Sequence, residues 1–114
     1  MKPVTLTLQF PPSTNTYWRR VGNKTLLSRR AREYRALVMA DALTQGAPRL
    51  GQARVRVSIT LHAPDNRRRD LDNFGGKALL DALVHARVLD DDSQVDALHV
   101  IRGAVRKPGS AVVT

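Results

Sequence analysis

The sequence predicts an α/β fold of the mixed α+β kind: one small domain over residues 1–114, with a mixed sheet of about four strands and two main helices. Three observations predict it. Two stretches, near residues 4–10 and 53–63, alternate apolar and polar side chains, the period of a half-buried strand. Two others carry apolar residues at helical spacing. A chain of 114 residues suffices for one modest core and is too short for two.

In chain order, Val4, Leu6, Leu8 and Phe10 alternate with Thr5, Thr7 and Gln9, and Pro11-Pro12-Ser13 ends that strand because proline cannot donate to a ladder. Thr14 to Leu27 reads as irregular, with a turn at Gly22-Asn23. Ser28 predicts an N-cap for a helix running to about Thr44, with Ala31, Tyr34, Leu37, Val38 and Ala42 inward and Arg29, Arg32 and Arg35 on another face. Those arginines either solvate the helix or meet phosphate. Gly46 to Gly51 reads as a linker. The cleanest pattern follows: Ala53, Val55, Val57, Ile59, Leu61 and Ala63 alternate with polar residues until Pro64-Asp65-Asn66. A second helix is predicted roughly over residues 72–85, with Phe74, Ala78, Leu79, Ala82, Leu83 and Ala86 inward. Asp90 to Ser93 reads as a loop. Residues 95–106 and 111–113 read as a terminal hairpin turned at Lys107-Pro108-Gly109.

Composition narrows the function classes. The absence of cysteine excludes a disulfide framework and thiolate metal sites. No run of about 18 apolar residues predicts a membrane span, and the N-terminus lacks a signal-peptide core, so a cytoplasmic protein is expected. A net charge of +9 implies attraction to nucleic acid or to an anionic membrane surface. His62, His85 and His99 lack zinc-site spacing and read as structural. Tyr17 and Trp18, in a basic loop, either stack on bases or close over the core.

Against that charge, eight of the ten acidic residues fall between Asp65 and Asp96. Crowded carboxylates resist ionising unless a cation sits among them. Asp70 and Asp72, two apart in extended backbone, can face one ion, while Asn73 holds the turn. Asp90, Asp91 and Asp92 can fold back toward the same point. Oxygen ligands suit Mg²⁺ or Mn²⁺, which can generate hydroxide and neutralise a phosphodiester transition state. Lys77 is the local cation for developing negative charge, and the run Arg67-Arg68-Arg69 is placed to hold a polyanionic backbone. The bland alternative makes the aspartates helix caps and solvated turns.

Three blocks together resemble the RusA family of Holliday-junction resolvases: Phe10-Pro11-Pro12-Ser13-Thr14-Asn15 with Tyr17 and Arg19; Arg68-Arg69-Asp70-Leu71-Asp72-Asn73 with Lys77 and Leu80-Asp81-Ala82-Leu83; and Leu89-Asp90-Asp91-Asp92-Ser93-Gln94-Val95. The resemblance implies a RusA-like fold and a small homodimeric endonuclease, often phage- or prophage-encoded, that cuts four-way DNA symmetrically with Mg²⁺, or Mn²⁺ in its place. It implies catalytic metal ligands at Asp70, Asp72 and Asp92, a supporting acid at Asp91, Asn73 in support and an essential lysine at Lys77. Arg67, Arg68, Arg69, Asn15, Arg19, Arg20 and Lys24 are then the expected DNA contacts. Two departures stand out. Lys77 is four residues after Asn73 where the family usually has three, with Gly75-Gly76 supplying the extra residue, and three aspartates stand where two are common. One added residue rotates a helical side chain by about 100°; a bulge or a late helix start would restore the aim. The alternatives to a nuclease are a RusA-like protein that binds branched DNA without cutting it, and a basic structural or RNA-binding domain.

Overall fold

In the computed structural model, residues 3–74 and 76–114 are described, with the backbone alone at Arg19, Arg20 and Val21. The first alternating stretch forms β1 (Leu6–Gln9), with Leu6 and Leu8 inward. The second forms β4 (Val55–His62), with Val57, Ile59 and Leu61 buried. Between them, Ser28 caps helix α1 (Arg29–Thr44), its hydroxyl accepting from the Ala31 N–H at 3.1 Å. Ala31, Tyr34, Val38 and Ala42 turn inward as expected, but Leu37 is left exposed.

The segment expected to be irregular contains a hairpin, β2 (Trp18–Val21) and β3 (Lys24–Leu27), outside the main sheet. Its two-residue turn does lie at Gly22-Asn23, with Gly22 at φ 59°, which favours glycine. Charged residues on both strands hide the alternation that would have marked them.

Helix α2 (Lys77–His85) begins five residues later than the periodicity suggested. Gly76 adopts φ 136°, outside the helical region, and a Cβ there would lie 3.1 Å from Leu98 Cδ2. Before it, Leu71–Asn73 form a single 3-10 turn. The other half of the Gly75-Gly76 pair lies outside the described residues.

The C-terminal strands, β5 (Val95–Arg102) and β6 (Ser110–Val113), do not form the expected hairpin. The sheet order is β1-β6-β4-β5, with β5 parallel to β4 and β6 antiparallel to both β1 and β4. Strand chemistry overrides chain proximity here. The uncharged segment of β6 fills the interior of the sheet, while β5, with Asp96, His99 and Arg102, takes an edge where charge can be solvated. β4, α2 and β5 form a β-α-β crossover.

Both helices pack on one face, where Leu6, Leu8, Ile59, Ala111 and Val113 meet Tyr34 and Val38 of α1 and Leu79 and Leu83 of α2. Outside the core, the β1 edge is closed by α1. Gln45 accepts from the Thr7 N–H at 2.8 Å and donates to the Thr7 carbonyl at 2.6 Å, while Asp41 accepts from the Gln9 N–H at 3.1 Å. On β5, Leu98 and Ile101 are exposed at 41% and 50%. No helix among the described residues is long and apolar enough to cross a membrane.

Candidate active site

The chain leaves β4 and crosses to α2 through a loop braced by its own arginine. Asp65 accepts from the Arg67 N–H at 2.9 Å and from Arg69 Nη1 at 2.8 Å, and the Arg69 guanidinium holds the Asp65 carboxyl below the usual range. Arg69 also lies 5.6 Å from the Phe10 ring, and its carbonyl accepts from Arg102 Nη2 at 2.7 Å. Phe10 meets Phe74 with ring centroids 5.3 Å apart, and the Thr14 hydroxyl donates to the Asn73 carbonyl at 2.9 Å. The first block therefore acts as the bed on which the acidic block rests.

On that bed Asp70 and Asp72 are exposed, and neither carboxylate has a hydrogen bond or ion pair among the described residues. Asp70 is extended (φ −89°, ψ 133°), but the 3-10 turn begins at Leu71, so the extended backbone expected to align the two carboxylates ends after the first. Asn73 holds the turn through its main chain, donating to the Asp70 carbonyl at 3.1 Å, rather than through its amide side chain. A cleft of about 450 Å³ lined by Ser13, Arg68, Arg69, Asp70, Asn73 and Phe74 opens beside it.

The second acidic group is built differently. Gln94 is buried; its Nε2 donates to the carbonyls of Gly51 (2.9 Å) and Ala53 (2.7 Å), and its Oε1 accepts from the N–H groups of Asp90 (2.9 Å) and Asp91 (3.0 Å). The Ser93 hydroxyl donates to the Asp91 carboxylate and holds it below the usual range. Asp91 is thus engaged in shaping the loop. Asp90 and Asp92 are exposed, with no ion pair among the described residues.

The two acidic groups lie at opposite ends of β5. Asp92 precedes its start at Val95, and Asp70 neighbours the carbonyl gripped by Arg102 at its finish. Seven strand steps separate those ends, on the order of 23 Å. Among the described residues no three His, Asp or Glu side chains come close enough to share a metal. Within one chain the structure does not bring Asp92 to Asp70 and Asp72, contrary to the expectation that the loop folds back.

Lys77 has partners of its own. Its Nζ lies 3.5 Å from Asp81 Oδ2 and 5.8 Å from the centre of the Trp18 ring. The buried Tyr17 donates its hydroxyl to the same Asp81 oxygen at 2.5 Å. Burial, then the Asp81 carboxylate, push the Tyr17 hydroxyl up to about 12. Tyr17 therefore closes over the core, one of the two readings open from sequence, while Trp18 stays half exposed.

Of the expected DNA contacts, Arg68, Lys24 and Asn15 are exposed and unpaired among the described residues, and Arg67 is exposed with a loose 3.7 Å contact to Asp65. Arg69 is largely buried and committed to the loop. The side chains of Arg19 and Arg20 lie outside the described residues. Asp81 and Gln94 stand in the second and third blocks without a role read for them from sequence, and Arg102 lies outside the blocks. The local signal for Asp81 is its i,i+4 spacing from Lys77.

A family model described as Endodeoxyribonuclease RusA matches residues 9–113. The chain belongs to the RusA family. The crossover junction endodeoxyribonuclease of Enterobacteria phage HK97 is 43% identical over 102 residues, 90% of this chain and 83% of that relative. The RusA protein of Escherichia coli K12, described in the same words, is 38% identical over 118 residues, covering 100% of this chain and 94% of the relative. A third relative, from Enterobacteria phage 82, is 39% identical over 110 residues, 96% of this chain and 90% of its own length. RusA family membership accounts for the three blocks appearing in order along nearly the whole chain.

Proposed function

We propose that this chain is a crossover junction endodeoxyribonuclease that resolves four-way DNA by paired phosphodiester hydrolysis, in recombination and repair, in the cytoplasm. The observation that carries the reading is the likeness to RusA relatives along the whole chain, in which two exposed carboxylates, unpaired among the described residues, sit at a 3-10 turn beside Arg68. Asp70 and Asp72 would hold Mg²⁺, or Mn²⁺ in its place: hard oxygen donors without internal partners suit such an ion. Bound there, the ion would supply Lewis acidity and an activated water. Arg68, with Arg67 and Lys24 further out, would hold phosphates. Asp91 would keep its loop in shape, and Asp92 would complete the ligand set.

Because Asp92 stands far from Asp70 within one chain, we further propose a homodimer with composite sites. The surface that supports it is the β5 edge: exposed Leu98 and Ile101, no neighbouring strand, and no hydrogen bond to its outward backbone among the described residues. Two β5 strands paired antiparallel about a two-fold axis at His99 would oppose Leu98 to Val100, Ala97 to Ile101 and Asp96 to Arg102. Reversing the strand carries the Asp92 end of one copy to the Asp70 end of the other. The two-fold would also match two cuts in opposed strands.

A synthetic four-way junction with Mg²⁺ tests the activity. Wild-type protein should give paired cuts and Asp72→Asn should give none; an intact junction with wild-type protein, or equal cutting by the variant, rejects the reading. The second reading is a protein that binds branched DNA without cutting. It is favoured by Lys77 pairing with Asp81 and with neither Asp70 nor Asp72 among the described residues, and it predicts salt-sensitive junction binding without product.

A further inference from the structure

Two contacts reach Lys77 from two parts of the chain, and a third fixes one of its partners. Asp81 sits one helical turn further along α2, its carboxylate 3.5 Å from the lysine Nζ. The same oxygen accepts the Tyr17 hydroxyl at 2.5 Å, so the carboxylate is tied to a buried residue and cannot follow a mobile lysine. Trp18, next to Tyr17 and set edge-on to it with centroids 5.0 Å apart, offers its ring 5.8 Å from Nζ. A ring face attracts an ammonium through its quadrupole.

The arrangement bears on the spacing of this block. A lysine at the first residue of a helix, preceded by a glycine at φ 136°, has little local structure behind it to fix its direction. Its long stem has many rotamers, and an ammonium presents no directional fork of its own. Direction has to come from outside, and among the described residues Asp81 and Trp18 are the groups that touch it.

We propose that Asp81 is a positioning residue: anchored by Tyr17, it holds the Lys77 ammonium against Trp18 and thereby sets where this lysine presents its charge to the DNA. The proposal rests on the reading of Lys77 as the lysine of the cutting reaction. Asp81 itself touches neither the acidic turn nor the open cleft beside Asp70. The network also explains why Tyr17, in the first block, accompanies Asp81, in the second.

The chain has one tryptophan, so its emission reports on this contact without any need for catalysis. The experiment is a double-mutant cycle on the full-length protein, using Asp81→Asn, Lys77→Ala and the double variant, read by tryptophan emission and by junction-cutting kinetics. Asp81→Asn should shift the emission and lower kcat by on the order of 10²-fold, with KM for the junction nearly unchanged. In the Lys77→Ala background, Asp81→Asn should move neither readout further, because the group it positions is gone. Asp81→Glu should restore part of kcat. Tyr17→Phe, which keeps the buried ring and removes only the anchoring hydroxyl, should shift emission in the same direction by less, and it stands in if Asp81→Asn fails to fold. Emission effects of Asp81→Asn and Lys77→Ala that add independently would overturn the proposal. If wild-type protein cuts no junction, the nuclease reading fails while the emission cycle still decides whether Asp81 holds Lys77.

Discussion

Along β1, the outward backbone groups are taken up by α1, with Gln45 making two hydrogen bonds to Thr7 and Asp41 one to Gln9. Along β5, no such cover exists among the described residues, and Leu98 and Ile101 stand in solvent. An exposed strand edge with apolar side chains is a template for pairing, and folded proteins ordinarily blunt it. The same chain blunts one edge with side chains and leaves the other open. The open edge is the one flanked at both ends by free aspartates, Asp92 at its start and Asp70 with Asp72 by its finish. On the proposed reading the two edges differ in function: one is closed for stability, and the other would be kept for a second copy of the chain.

Breaking the open edge should have the largest effect. Ile101→Asp with Leu98→Lys places charge where the two strands would meet. We expect a monomer by sedimentation and a loss of junction cutting on the order of 10²-fold or more. A variant that stays dimeric and cuts at wild-type rate removes β5 from the interface.

Breaking the closed edge should do the reverse. Gln45→Ala removes two hydrogen bonds to Thr7, at about 1 kcal/mol each, so a loss of roughly 2 kcal/mol is expected in chemical denaturation, with cutting per folded molecule retained. Denaturation unchanged from wild type would show that α1 merely lies beside this edge.

Arg68 sharpens the contrast between the free and committed arginines of one loop. Arg68→Ala should weaken junction binding and reduce the slope of log K against log salt by about 1. Arg69→Ala should instead lower stability, because Arg69 is tied to Asp65 and stacked on Phe10. Equal salt slopes in wild type and Arg68→Ala would remove Arg68 from the DNA contacts.

The smallest effect concerns alkaline pH. Tyr17 titrates near 10 when unfolded and at about 12 when folded, mainly through burial. The folded state then holds its proton more tightly, so the stability linked to it is complete below pH 10 and is lost as pH rises toward 12. Tyr17→Phe should flatten the fall in melting temperature over that range relative to wild type. An unchanged slope would mean the hydroxyl is not buried against Asp81.

Much of this molecule was legible because its signals are local. Ser28 announces α1 by a capping hydroxyl, and β1 and β4 show period-two alternation that no other structure satisfies. The acidic blocks were legible through charge, since aspartates crowded in a basic chain need a reason. What escaped were features decided by distant partners. The terminal strands look like a hairpin along the chain, but β6 is drawn between β1 and β4 by an uncharged sequence fit for the sheet interior. The late start of α2 follows Gly76, where a Cβ would come within 3.1 Å of Leu98 on β5. Gln94 reads as one more polar loop residue until its four hydrogen bonds across the loop are seen. The separation of Asp92 from Asp70 follows from the parallel run of β5 beside β4, and no local spacing encodes it.

The central claim, that each site draws Asp70 and Asp72 from one copy and Asp92 from another, is tested most directly by mixing two inactive variants. Asp72→Asn and Asp92→Asn chains are unfolded together, refolded and assayed on a four-way junction with Mg²⁺. A mixed dimer with shared sites has one site carrying both substitutions and one carrying neither, so single-strand nicking should return although each variant alone is inactive. Sites built within one chain would leave every site with a substitution, and a mixture as inactive as its components would contradict the claim.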